Sequence, residues 1–214
     1  MTRPYLDISA FRNHSQRRAK RLLDTYNDNR WRTEAYRSFL IGTLVLELDN
    51  LLIQSLRAYA FCRIWQGQRS GIVAKIDRKF MSSAEYTAHF VRILSPAKYV
   101  KLHSPTVLSR EHEWSIRDPK DVAKIIQGVC GAVPVELNNA IALNCRVFYE
   151  TKIVRHFYAH RCEDTMLKLK AALPIFSSGI INHPDDYLEN ILPGSSEAKF
   201  ITWWSEYDDF FSVA

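Results

Sequence analysis

Between Trp31 and Trp65, apolar residues return every three or four positions without interruption: Ile41, Leu44, Val45, Leu48, Leu51, Leu52, Leu56, Tyr59 and Ala60. That period belongs to one face of an α-helix and to no strand. A helix of this length has to cover its apolar stripe with several others, so the pattern predicts an all-α bundle built around it. Glu47, Asp49, Asn50, Gln54 and Arg57 fall mostly on the opposite side, and Gly67 is the expected stop.

Further helices follow from the same reading. Phe11 to Tyr26 forms a shorter basic helix. Asp118-Pro119 is an N-cap followed by proline at the first helical position, and the helix it opens runs through Val122, Ile125, Ile126 and Val129 before Gly128, Gly131 and Pro134 break it. From Pro134 one helix is expected to continue to about His160, carrying Leu137, Ile141, Val147, Phe148, Val154 and Phe157. Glu163 to Leu173 has acids in its first turn and lysines near its last, as the helix dipole favours, and Pro174 stops it. Ser196 to Phe211 is a last helix, rich in aromatics that need a packing partner. From Gln68 to Arg117 no period is sustained; Ser-Pro steps and the β-prone piece Lys98 to Leu102 suggest an insertion of mixed structure. The expected organisation is a basic N-terminal helix or arm (1–30), a bundle (31–173) interrupted at about 68–117, and an acidic, aromatic tail helix (174–214).

Composition narrows the function. A chain of 214 residues, 47% hydrophobic and 24% charged, fits a single globular core. Seven Gly and eight Pro leave little material for phosphate-cradling loops, which argues against nucleotide-binding Rossmann or P-loop enzymes. The longest uncharged apolar runs, Ser38 to Leu46 and Ile125 to Val135, are shorter than the roughly 20 residues of a membrane span. With no apolar signal core near Met1, a soluble cytoplasmic protein with no membrane partner is expected. Cys62, Cys130, Cys145 and Cys162 form no CxxC pair and read as reduced thiols.

The formal charge is +6, and it is unevenly placed: a basic body precedes an acidic segment from Glu163 onward. Basic surface attracts polyanions, and RNA is the expected partner. Candidate phosphate contacts are Arg12, Arg17, Arg18 and Arg21 on the first helix and Lys75, Arg78, Lys79, Lys98 and Lys101 in the insertion. There they alternate with Phe80, Tyr86, Phe90 and Tyr99, a mixture suited to single strands. The plainer alternatives are a solvated helix face and an insertion with its own small core.

Metal chemistry finds little support. Glu111-His112-Glu113-Trp114-Ser115-Ile116 begins like HExxH but has Ile116 where the second histidine belongs. His103 and His112 stand too isolated to make a ligand set, and no GxSxG elbow occurs. The expectation is no cofactor and no metal.

Arg155-His156-Phe157-Tyr158-Ala159-His160 carries the remaining chemistry. Histidine titrates near neutral pH and can give or take a proton; guanidinium stays charged and grips phosphate oxygens. Together they supply what metal-free RNA cleavage requires. On an ideal helix His156 and His160 share a face, whereas Arg155 and His160 point about 140° apart. Convergence then requires a bend near Ala159 or a second copy across a two-fold axis.

In these residues the chain resembles the HEPN domains, helical bundles of which many are metal-independent ribonucleases marked by Arg-x(4–6)-His with Asn, Asp or His after the Arg. Arg155, His156 and His160 match those positions, and the resemblance covers roughly 31–66 and 118–173. It implies a HEPN-like bundle and a homodimer with a composite site at the interface. The implied reaction is endonucleolytic cleavage by 2′-OH attack, leaving 2′,3′-cyclic phosphate and 5′-OH ends, as in a toxin or antiviral effector. In one branch of the family an inhibitory partner protein silences the toxin and a Tyr stands two residues past the His; here that position is Cys162, a departure from that branch. Two other readings stay open: a non-catalytic RNA-binding or dimerisation module of the same fold, and a helical adaptor with no nucleic-acid role.

Overall fold

In a computed structural model of the 214-residue chain, the described residues are 8–29, 33–69, 90, 92–101, 116–173, 175–176, 182–191, 194 and 196–214. They form an all-α bundle, with no strand beyond an isolated Ile191–Ala198 bridge among them. The helices are α1 (Ile8–Asn29), α2 (Glu34–Arg69), α3 (Pro96–Lys101), α4 (Pro119–Cys130), α5 (Val135–Ala142), α6 (Val147–His160), α7 (Glu163–Ala172), α8 (Pro184–Glu189) and α9 (Lys199–Val213).

The long periodic segment is α2, the axis of the bundle. Its residues Leu44, Val45, Leu48, Leu51, Leu52 and Leu56 are all buried, and α1, α4 and α6 pack along it. Each such leucine contributes about 1.5–3 kcal/mol relative to an exposed one, which is why tertiary packing and not propensity holds so long a helix. The helix passes through Gly67 and ends two residues later than expected. By length and composition Glu34–Ile64 also suffices to cross a membrane, with a mean hydropathy of 1.5 in its most apolar window. Uncharged runs understate this because Glu47 and Asp49 interrupt them. Here 56% of that window is buried by the protein itself, as in a core helix.

α4 begins as the sequence predicts: the Asp118 carboxylate accepts the Lys120 N–H at 2.8 Å, Pro119 occupies the first turn, and Gly131 closes the helix at φ 82°. Gly128 does not break it; it lets Ile93 lie against the helix, where a Cβ would come within 3.0 Å of the Ile93 side chain.

The helix expected from Pro134 to His160 is two helices. Asn144 adopts φ 51°, the left-handed region that Asn tolerates better than most residues, and the chain turns between α5 and α6. The new helix start is satisfied from a distance, because the Val147 N–H donates to the Glu206 carboxylate at 2.6 Å.

The tail is core. In α9, Trp203, Tyr207, Phe210 and Phe211 are fully buried, and α9 packs on α1, α5, α6 and α8. The basic helix α1 likewise buries Phe11, Ser15, Ala19 and Tyr26 against α2 and α9. Within the insertion, the piece 98–101 expected to be β-prone lies in helix α3.

Candidate functional site

α6 carries the Arg155–His160 segment and is unbroken through it. The Arg161 N–H reaches the Phe157 carbonyl, and Arg161 ends the helix in the left-handed conformation at φ 45°. The bend near Ala159 that would bring Arg155 and His160 together is therefore absent, and within one protomer the two side chains leave the helix in different directions.

Toward α2, Arg155 meets Asp49. This carboxylate is 1% exposed and holds two guanidiniums from separate elements. Arg117 grips it in a fork, Nε to Oδ1 at 3.1 Å and Nη2 to Oδ2 at 3.0 Å. Arg155 Nε lies 3.1 Å from Oδ2 as an ion pair, buried and without a hydrogen bond of its own. One carboxylate against two guanidiniums leaves a surplus of one positive charge. The surplus reaches solvent, since the Arg155 side chain is 34% exposed and that of Arg117 25%. Among the described residues, the terminal nitrogens of Arg155 have no hydrogen-bond partner.

On the outward face, His156 is half-buried and His160 exposed, with ring centroids 4.8 Å apart in an edge-on arrangement. Exposed Lys152 and Tyr149 continue the same stripe toward the start of α6, as the spacings of three, four and seven residues require. The stripe therefore combines an aromatic ring, an ammonium and two imidazoles, with the surplus charge of the Asp49 cluster along its side.

The next two residues of the segment are structural. Phe157 is buried against the His183 ring at 5.5 Å, and the Tyr158 hydroxyl donates to Asp185. Burial, reinforced by Asp185, pushes the Tyr158 hydroxyl far above its ordinary pKa, so it remains a donor. Gly42 on α2 makes room for this ring, for a Cβ there would fall 2.8 Å from Tyr158 Cδ1. Arg37 pairs with Glu189, which fastens α8 to the start of α2. The acidic segment thus packs on the Phe157–Tyr158 side of α6 and leaves His160 exposed.

The basic residues of α1 serve a different region. Arg18 donates to Gln54 on α2 at 2.6 Å, and Arg12 is partly buried with its Nε unsatisfied, while Arg17 and Arg21 are exposed. Gln54 and Asp49 are five residues apart on α2 and so point about 140° from one another, which separates the α1 cations from the Arg155 cluster. Lys75, Arg78 and Lys79 lie outside the described residues, as do the side chains of Lys98 and Lys101. His103 and His112 are outside them as well, and among the described residues no group of His, Cys, Asp or Glu is gathered as a metal site.

Asp49, expected among the polar residues opposite the apolar stripe of α2, is instead buried within it, and Arg117, Tyr149 and Lys152 are contributors the sequence does not single out. Asp49 carried a usable signal. It stands four residues after Val45 and three and seven before Leu52 and Leu56, so it interrupts the apolar stripe itself, and a carboxylate there demands buried cations.

Two cysteines illustrate the local fields. Exposed Cys162 caps α7, and hydrogen bonding with Thr165 lowers its thiol pKa, whereas burial raises that of Cys145 to about 11. Compared with family models, curated proteins and solved structures, the chain matches none.

Proposed function

We propose that this chain is a metal-independent endoribonuclease of the HEPN type, acting in the cytoplasm as a toxin or antiviral effector. One observation carries the reading: Arg155, whose side chain reaches solvent beside Asp49, sits on the same helix as the half-buried His156 and exposed His160 imidazoles, 4.8 Å apart. A phosphodiester needs that combination. One imidazole takes the 2′-OH proton as the O2′–P bond forms; a second, entering as imidazolium, protonates the 5′ oxygen as the P–O5′ bond breaks. The Arg155 guanidinium holds the phosphorane charge. The products are a 2′,3′-cyclic phosphate and a 5′-OH end.

Arg155 and His160 diverge on a straight helix, so the reading includes a homodimer in which two copies of α6 line one cleft and each copy supplies what the other directs away. The test is to incubate the purified protein with mixed RNA in EDTA and determine product ends. Cyclic phosphate ends that vanish in His160→Ala and Arg155→Ala, with melting unchanged, are expected; an RNA population left intact overturns the proposal. Light scattering giving a monomer at working concentration removes the composite cleft.

The Asp49 ion pair favours a second reading. It gives Arg155 a structural duty, as a non-catalytic RNA-binding or dimerisation module of the same fold would use it. That module binds RNA, loses affinity in Arg155→Ala, and cleaves nothing.

A further inference from the structure

Beside the Asp49 cluster lies a cleft of about 620 Å³ between the start of α4, the end of α5 and the first two turns of α6. Its size falls in the range of small-molecule and nucleotide sites. Phe148 and Phe210 form an apolar floor, and Tyr149, 59% exposed, stands at the rim. Arg117, Lys120 and Lys152 bring positive charge to the walls; Asp118 and Asp121 bring negative charge.

The acids are already engaged. Asp118 accepts the Lys120 backbone N–H, and Asp121 pairs with Lys124 at 3.2 Å. The α4 end therefore offers little as an anion site by itself, and recognition falls to side chains. Lys120 and Lys152 are exposed, and their ammonium groups have no carboxylate partner among the described residues. An unpartnered ammonium beside an accessible aromatic ring over an apolar floor is a surface for a base and its phosphate.

Position decides which nucleotide this is. Lys152 precedes His156 by one helical turn, about 6 Å along the axis. Arg117 lines the cleft and also grips Asp49, which holds Arg155. The cleft and the imidazole stripe are consequently one continuous surface, joined by Lys152 on one side and Arg117 on the other.

We propose that this cleft binds the nucleotide adjoining the scissile phosphate of a single-stranded RNA, with Tyr149 stacking on the base and Lys152 and Lys120 contacting the flanking phosphates. The assignment rests on the ribonuclease reading for the word scissile, while the binding itself can be measured separately.

The test uses a fluorescent single-stranded RNA oligonucleotide and anisotropy, in a His160→Ala background so that no substrate is consumed. Tyr149→Ala is expected to weaken binding about tenfold, in the range of base stacking on an aromatic side chain. Tyr149→Trp retains it. Lys152→Ala lowers affinity and reduces the slope of log affinity against log salt by about one phosphate contact. Lys168→Ala, which removes an exposed cation already paired with Asp164, changes neither. All four side chains are exposed or at the rim, so circular dichroism and melting should match the parent.

The outcomes separate the two proposals. Full affinity in both Tyr149→Ala and Lys152→Ala, in a protein whose His160-intact form cleaves RNA in EDTA, overturns the subsite and keeps the nuclease. Weakened binding in both, in a protein that cleaves nothing, supports the cleft as an RNA site and removes the nuclease. A mononucleotide that displaces the oligonucleotide as effectively as unlabelled RNA of the same sequence overturns the strand assignment.

Discussion

Two buried carboxylates lie on opposite sides of α6, Asp49 supplied by α2 and Glu150 by α6 itself, and they are put to opposite uses. Asp49, on the α2 side, holds two guanidiniums that both reach solvent. Glu150, on the α9 side, is 5% exposed; it accepts the Trp203 indole N–H at 2.7 Å and pairs with Lys199 at 2.8 Å, itself a buried ammonium over the Tyr187 ring. The Glu150–Lys199 pair matches one charge with one and is buried, with the half-buried Glu206 carboxylate close enough to feel both. The Asp49 cluster has one cation too many, and the excess faces outward. Burial of an ion pair is therefore no guide to function; the sign and exposure of what remains unbalanced is.

If the closed cluster is structural, breaking it costs most. Glu150→Ala strands the Lys199 ammonium and the Trp203 N–H without a partner. The expected loss is about 3–5 kcal/mol of stability, read by urea denaturation. Replacing Glu150 and Lys199 together by Leu and Met should recover much of it, because the pair's desolvation penalty disappears with its attraction. A cost below about 1 kcal/mol for Glu150→Ala would erase the contrast between the clusters.

The open cluster should respond in activity first. Arg155→Ala leaves Asp49 in the Arg117 fork, so stability should change by no more than about 1 kcal/mol. RNA cleavage should fall about 10²–10³-fold, the usual cost of one donor to a developing oxyanion. Equal melting with lost cleavage sharpens the comparison; an Arg155→Ala protein that cleaves normally removes the functional half of it.

Asp49→Asn tests how far positioning matters. The two guanidiniums lose their common counter-charge but keep contact with water, so the expected cost is smaller than at Glu150, about 1–3 kcal/mol. Affinity for RNA should be kept or increased, since a negative charge is gone, while cleavage falls because Arg155 is no longer held. Measuring binding and cleavage in parallel separates charge from placement: if both fall together, Asp49 acts only through folding.

The two clusters also differ in how far the sequence announces them. Arg155, His156 and His160 are visible as a short motif late in a predicted helix. The long period of α2, the Asp118-Pro119 start of α4 and the polarity of α7 are local features, and local physics reveals them. Asp49 is legible only as a break in an apolar stripe, and its two cations come from positions 117 and 155, which no window connects. The α5–α6 break is hidden for the same reason. The apolar period of Leu137 to Phe157 runs across it, and what permits it is one left-handed Asn144 and a carboxylate supplied by α9. Likewise the short helix α8 starts at His183-Pro184, where the imidazole Nδ1 accepts the Asp185 N–H and proline takes the first position. That signature is local, and it lies within the segment expected as tail.

That distant carboxylate gives the smallest prediction, and it belongs to the closed side. Burial raises the pKa of Glu206 above its ordinary 4.5, with Glu150 adding to the rise while the Val147 N–H and Lys199 oppose it. The folded state therefore keeps this proton to higher pH than the unfolded chain does. Between the ordinary value and the raised one, the native state binds more protons, so stability falls as pH rises through that window and the penalty is complete above it. Glu206→Gln retains an oxygen to accept the Val147 N–H and has nothing to titrate. Relative to the parent, the variant should gain stability as pH climbs from below 4.5 toward neutrality. Parallel stability curves for the two proteins would mean that Glu206 is ionised at no cost. The closed cluster would then be wetter than its burial indicates, and its contrast with the open Asp49 cluster correspondingly weaker.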